Sequence, residues 1–378
     1  MNKRILIDAT NVNISIPGGG SFCTKAYIDA FVRLFPGQVD VIHPKEAGIR
    51  DGRYRTIDVP RRTRIQQITG ACKGYFHRCA PFIVDYLRQN KDTYQTVLIS
   101  TGLFAGGVMD DIHALGIQVI VLHHNYEPEY RIDSKSILTL KGKTDILVRH
   151  WERKGYRLAD INLFLTQDDL NRFEKEYGSR TNNYVTGIFE PTETQQELQQ
   201  GPIDQSAVIT CALSDIQNQA PLMRFAEHYL PVFENTLPDW KIRLMGRNPS
   251  DTIREMAEKH DTILLIPDPE DIRVLAAESA IYLCPMDAGG GLKLRIMDGL
   301  RAGQPVLTHV RSARGYDALL QQPWFCTYED ADSFRQGLKH IVQYINSKDY
   351  SRSQIQAQYY ALFGLKAGIE RLKAILCP

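Results

Sequence analysis

SAIYLCPMDAGGGLKLRIMDGLRAGQPVLTHVRSARGYD, residues 279–317, is the stretch whose pattern decides the fold. An apolar run at 281–284 ends at Pro285 and leads to Gly289, Gly290 and Gly291. Leu292, Ile296 and Leu300 then recur every four residues, the spacing of one helix face, so a helix is predicted to open at the glycines. It is predicted to end at Gly303 in the left-handed conformation, with Pro305 barring continuation. Consecutive glycines at a strand-to-helix turn let an anion approach the backbone. The helix start adds free N–H groups and about half a positive charge. Lys293, in the expected first turn, is placed for a charge-assisted contact with a phosphate oxygen. Asp298 follows roughly 10 Å along the axis at about 1.5 Å per residue. A carboxylate there would accept ribose hydroxyls while a diphosphate rests at the glycines.

Outward from this segment, short apolar runs alternate with helix-period segments. Strands are predicted at 4–7, 39–43, 96–100, 118–122, 161–165 and 184–186, then at 207–211, 241–245, 262–266, 280–284 and 306–308. Between the first two, Phe22, Ala26, Ala30 and Leu34, joined by Tyr27 and Phe31, form one face of a helix over 21–34 with Ser21 as its N-cap. Strand and helix in alternation imply right-handed crossovers and parallel sheets with helices on both sides. The polar, Gln-rich stretch TETQQELQQGPIDQ at 192–205 interrupts the pattern as a linker would. Two helices are predicted after about residue 330, the last over 352–376. The fold class is α/β, with two Rossmann-like βαβ domains in tandem.

A length of 378 residues suits two domains, and 43% hydrophobic with 24% charged residues suits full cores. A net charge of +1 gives no field that argues for nucleic acid or an acidic partner. The seven cysteines are odd in number and none forms a C-x-x-C pair, which disfavours a disulfide framework or zinc site and fits a reducing cytoplasm. The opening MNKRILIDAT has no signal-peptide character, and no apolar run reaches the ~18 residues of a membrane span.

At this point the residues resemble a known family. GGGLKLRIMDGLRAGQPVLTH is similar to the donor-binding signature of GT-B glycosyltransferases, above all the large retaining family 4 group. The resemblance implies two domains facing across a cleft, with a nucleotide-diphosphate-sugar donor bound mainly by the C-terminal half. It puts Asp298 on the donor ribose and Lys293 on the diphosphate, beside the backbone of Gly290, Gly291 and Leu292. The family often carries Glu at the position of Asp298 and a second Glu where this chain has Gly290. WKIRLMGRNP at 240–249 resembles the family strand lining the donor site, with Gly246 open to close approach and Arg247 reaching a phosphate; a surface arginine is the competing reading. LIPDPEDI at 265–272 matches the segment that meets the base, through residues 266–268 and hence Asp268. Residues 214–218 stand where the family has another border of the site, without its usual basic pair.

In the first half, ISIPGGGSFCT at 14–24 places Gly18, Gly19 and Gly20 before a helix. It is not a dinucleotide fingerprint, because Cys23 stands where a glycine is needed, and no Gly-Lys-Ser/Thr follows. It resembles the GT-B loop that turns Gly19 and Gly20 toward the donor diphosphate. VIVLHHNYEPEY at 119–130 carries His123 and His124 to the carboxyl end of a strand, where α/β sheets place ligands. By the family match His124, Asn125, Glu127 and Tyr130 are candidates, with His124 bonding the transferred sugar or assisting the leaving oxygen and Glu127 beside it as a catalytic group. A histidine that merely caps its strand is the alternative. A metal site is disfavoured, because adjacent strand residues point to opposite faces. Thr166 and Gln167 end a later strand and would border the same site. Residues 60–88 mix Arg61, Arg62, Arg64, Lys73 and Arg78 with Ile65, Ile68, Tyr75 and Phe76, fitting either an anionic membrane surface or an ordinary solvated helix.

The expected domains are therefore 1–190 on the acceptor side, a linker at 191–205, 206–350 for the nucleotide-sugar, and a helix at 351–378 packing back toward the first. The expected activity moves a sugar from the donor to a hydroxyl of a glycan or lipid-linked acceptor, with retention, in polysaccharide or glycoconjugate biosynthesis. No cofactor or metal is expected beyond the donor. The site would be cytoplasmic, with room for peripheral contact at the inner membrane face. Alternatives are a nucleotide-sugar epimerase on the same fold, which Gly290 in place of a carboxylate disfavours, and a catalytically silent binding protein.

Overall fold

The structure, a computed structural model, describes residues 3–10, 12–16, 18–47, 51–60, 63, 65–66, 69–70, 79–128, 142–193 and 203–377. They divide into two compact units, Met1–Glu193 with Phe363–Pro378, and Thr194–Leu362. Most of the predicted linker lies outside the described residues.

The first unit holds a sheet of β1 (Arg4–Asp8), β2 (Val39–Pro44), β3 (Arg55–Val59), β4 (Tyr94–Ile99), β5 (Gln118–His123), β6 (Ile161–Phe164) and β7 (Asn183–Val185). They run parallel in the order β3-β2-β1-β4-β5-β6-β7. Parallel strands are covered on both faces, which is why the central ones read as unbroken apolar runs. Its helices are α1 (Gly19–Leu34), α2 (Ala80–Gln89), α3 (Met109–His113), α4 (Gly142–Leu158) and α5 (Gln167–Tyr177). Ser21 does not cap α1. The helix starts two residues earlier, after Gly18, and the Ser21 hydroxyl donates to the Gly18 carbonyl at 2.8 Å.

The second unit repeats the plan with β8 (Asp204–Thr210), β9 (Lys241–Gly246), β10 (Ile263–Pro267), β11 (Ser279–Cys284), β12 (Val306–His309) and β13 (Phe325–Tyr328), parallel in the order β10-β9-β8-β11-β12-β13. Its helices are α6 (Ile216–His228), α7 (Leu230–Thr236), α8 (Asp251–Glu258), α9 (Ile272–Ala277), α10 (Arg295–Arg301), α11 (Ala331–Ile345) and α12 (Arg352–Phe363). Two features differ from expectation. The helix after the glycines opens only at Arg295, because Gly289 and Gly291 take φ of +87° and +70°, incompatible with a right-handed helix. Its end is as predicted: Gly303 has φ +68°, with Gly303 N–H donating to Leu300 and Gln304 N–H to Gly299, the paired bonds of a Schellman motif.

The single helix expected over 352–376 is two, α12 and α13 (Leu365–Leu376), separated by Gly364 in an extended conformation. Arg352 on α12 is buried and donates to the carbonyls of Ala277 and Ser279 in the second unit. In the first unit α13 rests against α1. Gly368 lies so close to Phe189 that an added Cβ would fall 2.2 Å from its ring, and Arg371 Nε donates to the Thr186 carbonyl at 2.6 Å. Replacing Gly368 with Ala overpacks a buried ring. It is expected to lower the first unit's stability by about 2 kcal/mol, seen as a lower urea midpoint with an unchanged slope.

Candidate functional site

In the first unit the chain order reverses between β1 and β4, which frees the carboxyl ends of the neighbouring strands for ligands. The turn after β1 is fixed by Asp8, whose carboxylate accepts from the N–H and hydroxyl of Thr10, and whose carbonyl accepts from Ser100. The chain then enters α1. No side chain caps this 16-residue helix, so its aligned N–H groups and positive end meet no acidic partner in the first turn. A Cβ built on Gly20 would sit 3.6 Å from Val12 and 4.0 Å from His124 Nδ1. The glycine loop and His124, far apart in sequence, are therefore neighbours.

The two adjacent histidines have separate environments. His123 is 1% exposed, stacks on Phe164 with ring centres 4.7 Å apart, and bonds Asn162 through Nε2 at 2.9 Å. It is a core residue. His124 is partly exposed, yet its Nε2 is enclosed and meets no partner in the described structure. Burial lowers its pKa to about 4. The ring is neutral at pH 7, with one nitrogen to donate and one to accept.

The loop after His124 hangs from two buried carboxyl groups. Tyr126 N–H donates to Asp169 at 3.1 Å and Glu127 N–H donates to Glu152 at 3.1 Å. The Glu127 carboxylate accepts from Asn125 Nδ2 at 3.2 Å. Thr166 is the N-cap of α5, accepting from Asp169 N–H and donating to its carboxylate, while Gln167 bonds Asn171. Tyr130 lies outside the described residues, as do Arg61, Arg62, Arg64, Ile68, Lys73, Tyr75, Phe76 and Arg78.

In the second unit the loop after β11 is braced from several sides. Ser312 donates to the Met286 carbonyl, Arg311 to the Asp287 carbonyl at 3.0 Å, and Tyr316 to the Lys293 carbonyl at 3.0 Å. Arg224 grips the Asp287 carboxylate with both arms of its guanidinium, and Asp287 is held below the usual carboxylate range despite the burial that opposes it. Glycines are needed at 289 and 291 for their positive φ. Gly290, Leu292 and Lys293 are half-buried in this loop. Lys293 stands in the loop, not in a helix turn, with Nζ 3.5 Å from the Gly290 carbonyl. Asp298, its side chain 24% exposed, is paired with Arg301 and with Arg295 at 3.5 Å.

Gly246 is buried at the end of β9. An added Cβ would fall 1.9 Å from the Cys211 carbonyl oxygen, so the missing side chain serves the approach of two strand ends. Arg247 is exposed, and its carbonyl accepts from Leu213 N–H. Asp268 and Asn248 both adopt φ +49°, joined by Asn248 N–H donating to the Asp268 carboxylate at 2.9 Å. In the loop at 214–218, the Asn218 side chain bonds the Ala212 carbonyl.

Sequence reasoning missed Arg295, Asp169 and Glu152. Arg295 was visible as the i−3 partner of Asp298. Glu152 was visible as a carboxylate in the stripe of Val148 and Tyr156 on α4. Among the described residues no group of three or more His, Cys, Asp or Glu side chains is placed to hold a metal ion, and no helix is long and apolar enough to cross a membrane.

No protein-family model matches the chain, and neither does any curated protein. Solved structures match it from end to end. The Anabaena protein Alr3699/HepE in complex with UDP aligns with a TM-score of 0.66 at 11% identity, over 99% of each chain. The lipopolysaccharide outer core galactosyltransferase WaaB, in its apo form, gives 0.65 at 10% identity over 99% of each chain. A glycosyltransferase from Rickettsia africae ESF-5 gives 0.63 at 10% identity, covering 100% of this chain and 99% of its own. What is shared at this identity is the fold: α/β, two Rossmann-like domains, GT-B.

Proposed function

We propose that the chain is a glycosyltransferase that takes a sugar from a nucleoside-diphosphate-sugar and passes it to a hydroxyl acceptor. The observation that carries this reading is the end-to-end likeness to GT-B structures, one of them solved with UDP and with UDP-glucose. In this reading the second unit takes the nucleotide at the braced glycine loop. Backbone N–H groups of Gly290, Gly291 and Leu292, with Lys293 and Arg295, hold the diphosphate as its charge grows. Asp298, paired with Arg295 and Arg301, accepts from the ribose, with Arg247 and Asp268 near the base. The first unit supplies Gly19 and Gly20 at the amino end of α1, and His124 to bond the sugar. The anomeric carbon loses its bond to the diphosphate oxygen and gains one to the acceptor oxygen, whose proton leaves with the nucleotide. Glu127 takes that proton from the acceptor hydroxyl and passes it on to the departing diphosphate. No metal or cofactor is required. Transfer is with retention, to a glycan or lipid-linked acceptor in polysaccharide or glycoconjugate assembly, in the cytoplasm against the inner membrane face.

The test is a thermal-shift panel of UDP, GDP, ADP, CDP and TDP. A nucleotide at 100 times its Kd adds ~2.7 kcal/mol, and one member should raise the melting point by roughly 5–10 °C. Lys293→Ala and Arg295→Ala should each weaken that nucleotide about tenfold, ~1.4 kcal/mol by calorimetry. No response to any of the five would sink the reading.

A further inference from the structure

Outside the proposed chemistry, the 124–127 loop is held by buried carboxyl groups. Glu152, 1% exposed on α4, receives Glu127 N–H on one carboxyl oxygen at 3.1 Å and the Tyr177 hydroxyl on the other at 2.7 Å. The placement is rigid. An added Cβ on Gly106, in the turn Gly102–Gly107, would meet the Trp151 carbonyl oxygen at 2.1 Å, and one on Gly155 would lie 3.0 Å from Ala105, so α4 is seated backbone to backbone. Asp169 holds the preceding N–H, of Tyr126.

Resting on the proposed role of His124, we infer that Glu152 is a positioning residue whose ionised carboxylate tethers the 124–127 loop and thereby sets His124 for the sugar. Only the ionised form offers both oxygens as full acceptors. Once protonated, the oxygen facing Tyr177 turns donor to that hydroxyl, and the other keeps the Glu127 N–H only as a weaker, uncharged acceptor. The groups that face it are Glu127 and Tyr126 from the loop, Tyr177 from α5, and Arg149 on α4, which pairs with Glu176. Burial, the largest cause, raises the Glu152 carboxyl to about 8; the Tyr177 bond opposes it. The tether therefore tightens as pH rises through about 8, where the acceptor gains its charge, and is weaker below it.

The experiment uses the full chain labelled with 15N-glutamate. The Glu127 amide resonance is identified by its loss in Glu127→Gln and followed by NMR from pH 6 to 10. The expected result is a downfield move with rising pH, midpoint near 8. It should be absent in Glu152→Gln, and shifted to higher pH in Tyr177→Phe, which removes a bond to the carboxylate. In parallel, release of glucose from UDP-glucose is measured with water as acceptor. Glu152→Gln should lower kcat about tenfold and lose the inflection near pH 8, with UDP affinity unchanged within twofold. A flat wild-type amide, or one titrating identically in Glu152→Gln, overturns the tether. A titrating amide with the same kcat profile in both proteins overturns the positioning role. Should none of the five nucleotides bind the wild type, the nucleotide reading is what falls, and the amide titration decides the tether by itself.

Discussion

His124→Ala is expected to reduce sugar transfer by roughly a thousandfold while leaving the fold at least as stable as before. The rate effect follows from losing a neutral ring that donates or accepts at the reacting sugar, the kind of contribution typically worth 10²–10⁴. The stability effect has the opposite sign from most truncations. His124 Nε2 is enclosed without a partner, so alanine removes an unsatisfied polar atom whose burial costs about 1–3 kcal/mol, offsetting the small cavity. Activity lost with stability kept or gained marks a group held in place for function. His123→Ala should do the reverse. The His123 Nδ1 is also enclosed without a partner in the described structure, but removing a ring packed on Phe164 and Phe173 and bonded to Asn162 outweighs that relief and should cost about 2–4 kcal/mol. Both rings have pKa values lowered to about 4, so each contributes stability that is present above about 6.5 and lost as pH falls toward 4. The alanine variants should therefore show a shallower acid loss in chemical denaturation between pH 6.5 and 4. If His124→Ala kept wild-type transfer, the first unit's part in the chemistry would be gone.

The central strands were legible because a parallel sheet buries both faces, leaving plain apolar signals such as VIVLH at 119–123. The two strands that were not predicted, β3 and β13, stand at sheet edges. RTIDV in β3 exposes Arg55 and Asp58, so its composition does not separate it from a loop. The start of α10 was misplaced for a backbone reason. Leu292 shares the four-residue spacing of Ile296 and Leu300, but spacing cannot register that Gly289 and Gly291 have turned left-handed. At the candidate site, motif residues in one stretch could be singled out, and Gly20 and His124 do lie together. Their supports could not. The carboxyl groups that hold the 124–127 loop come from 25 and 43 residues further along the chain, a closeness that exists only after α4 and α5 have packed.

Gly246→Ala separates two meanings of one glycine. If its bareness served only a ligand, alanine would leave the melting point alone and weaken nucleotide binding. The geometry points elsewhere. The new Cβ would lie 1.9 Å from the Cys211 carbonyl oxygen and 2.9 Å from Leu213, and no side-chain rotation relieves a clash with backbone. The ends of β8 and β9 would have to part. They are held there by Cys211 N–H on Met245 and Leu213 N–H on Arg247, while Asp268 N–H on Gly246 ties β9 to the end of β10. Separation would strain all three, together with the left-handed pair Asn248 and Asp268. The expected loss is about 3 kcal/mol or more, roughly 6–12 °C in the transition of the second unit, while the transition of the first stays in place. Scanning calorimetry reads both at once. A wild-type melting profile with weakened UDP binding would return Gly246 to the ligand and remove the close approach as its explanation.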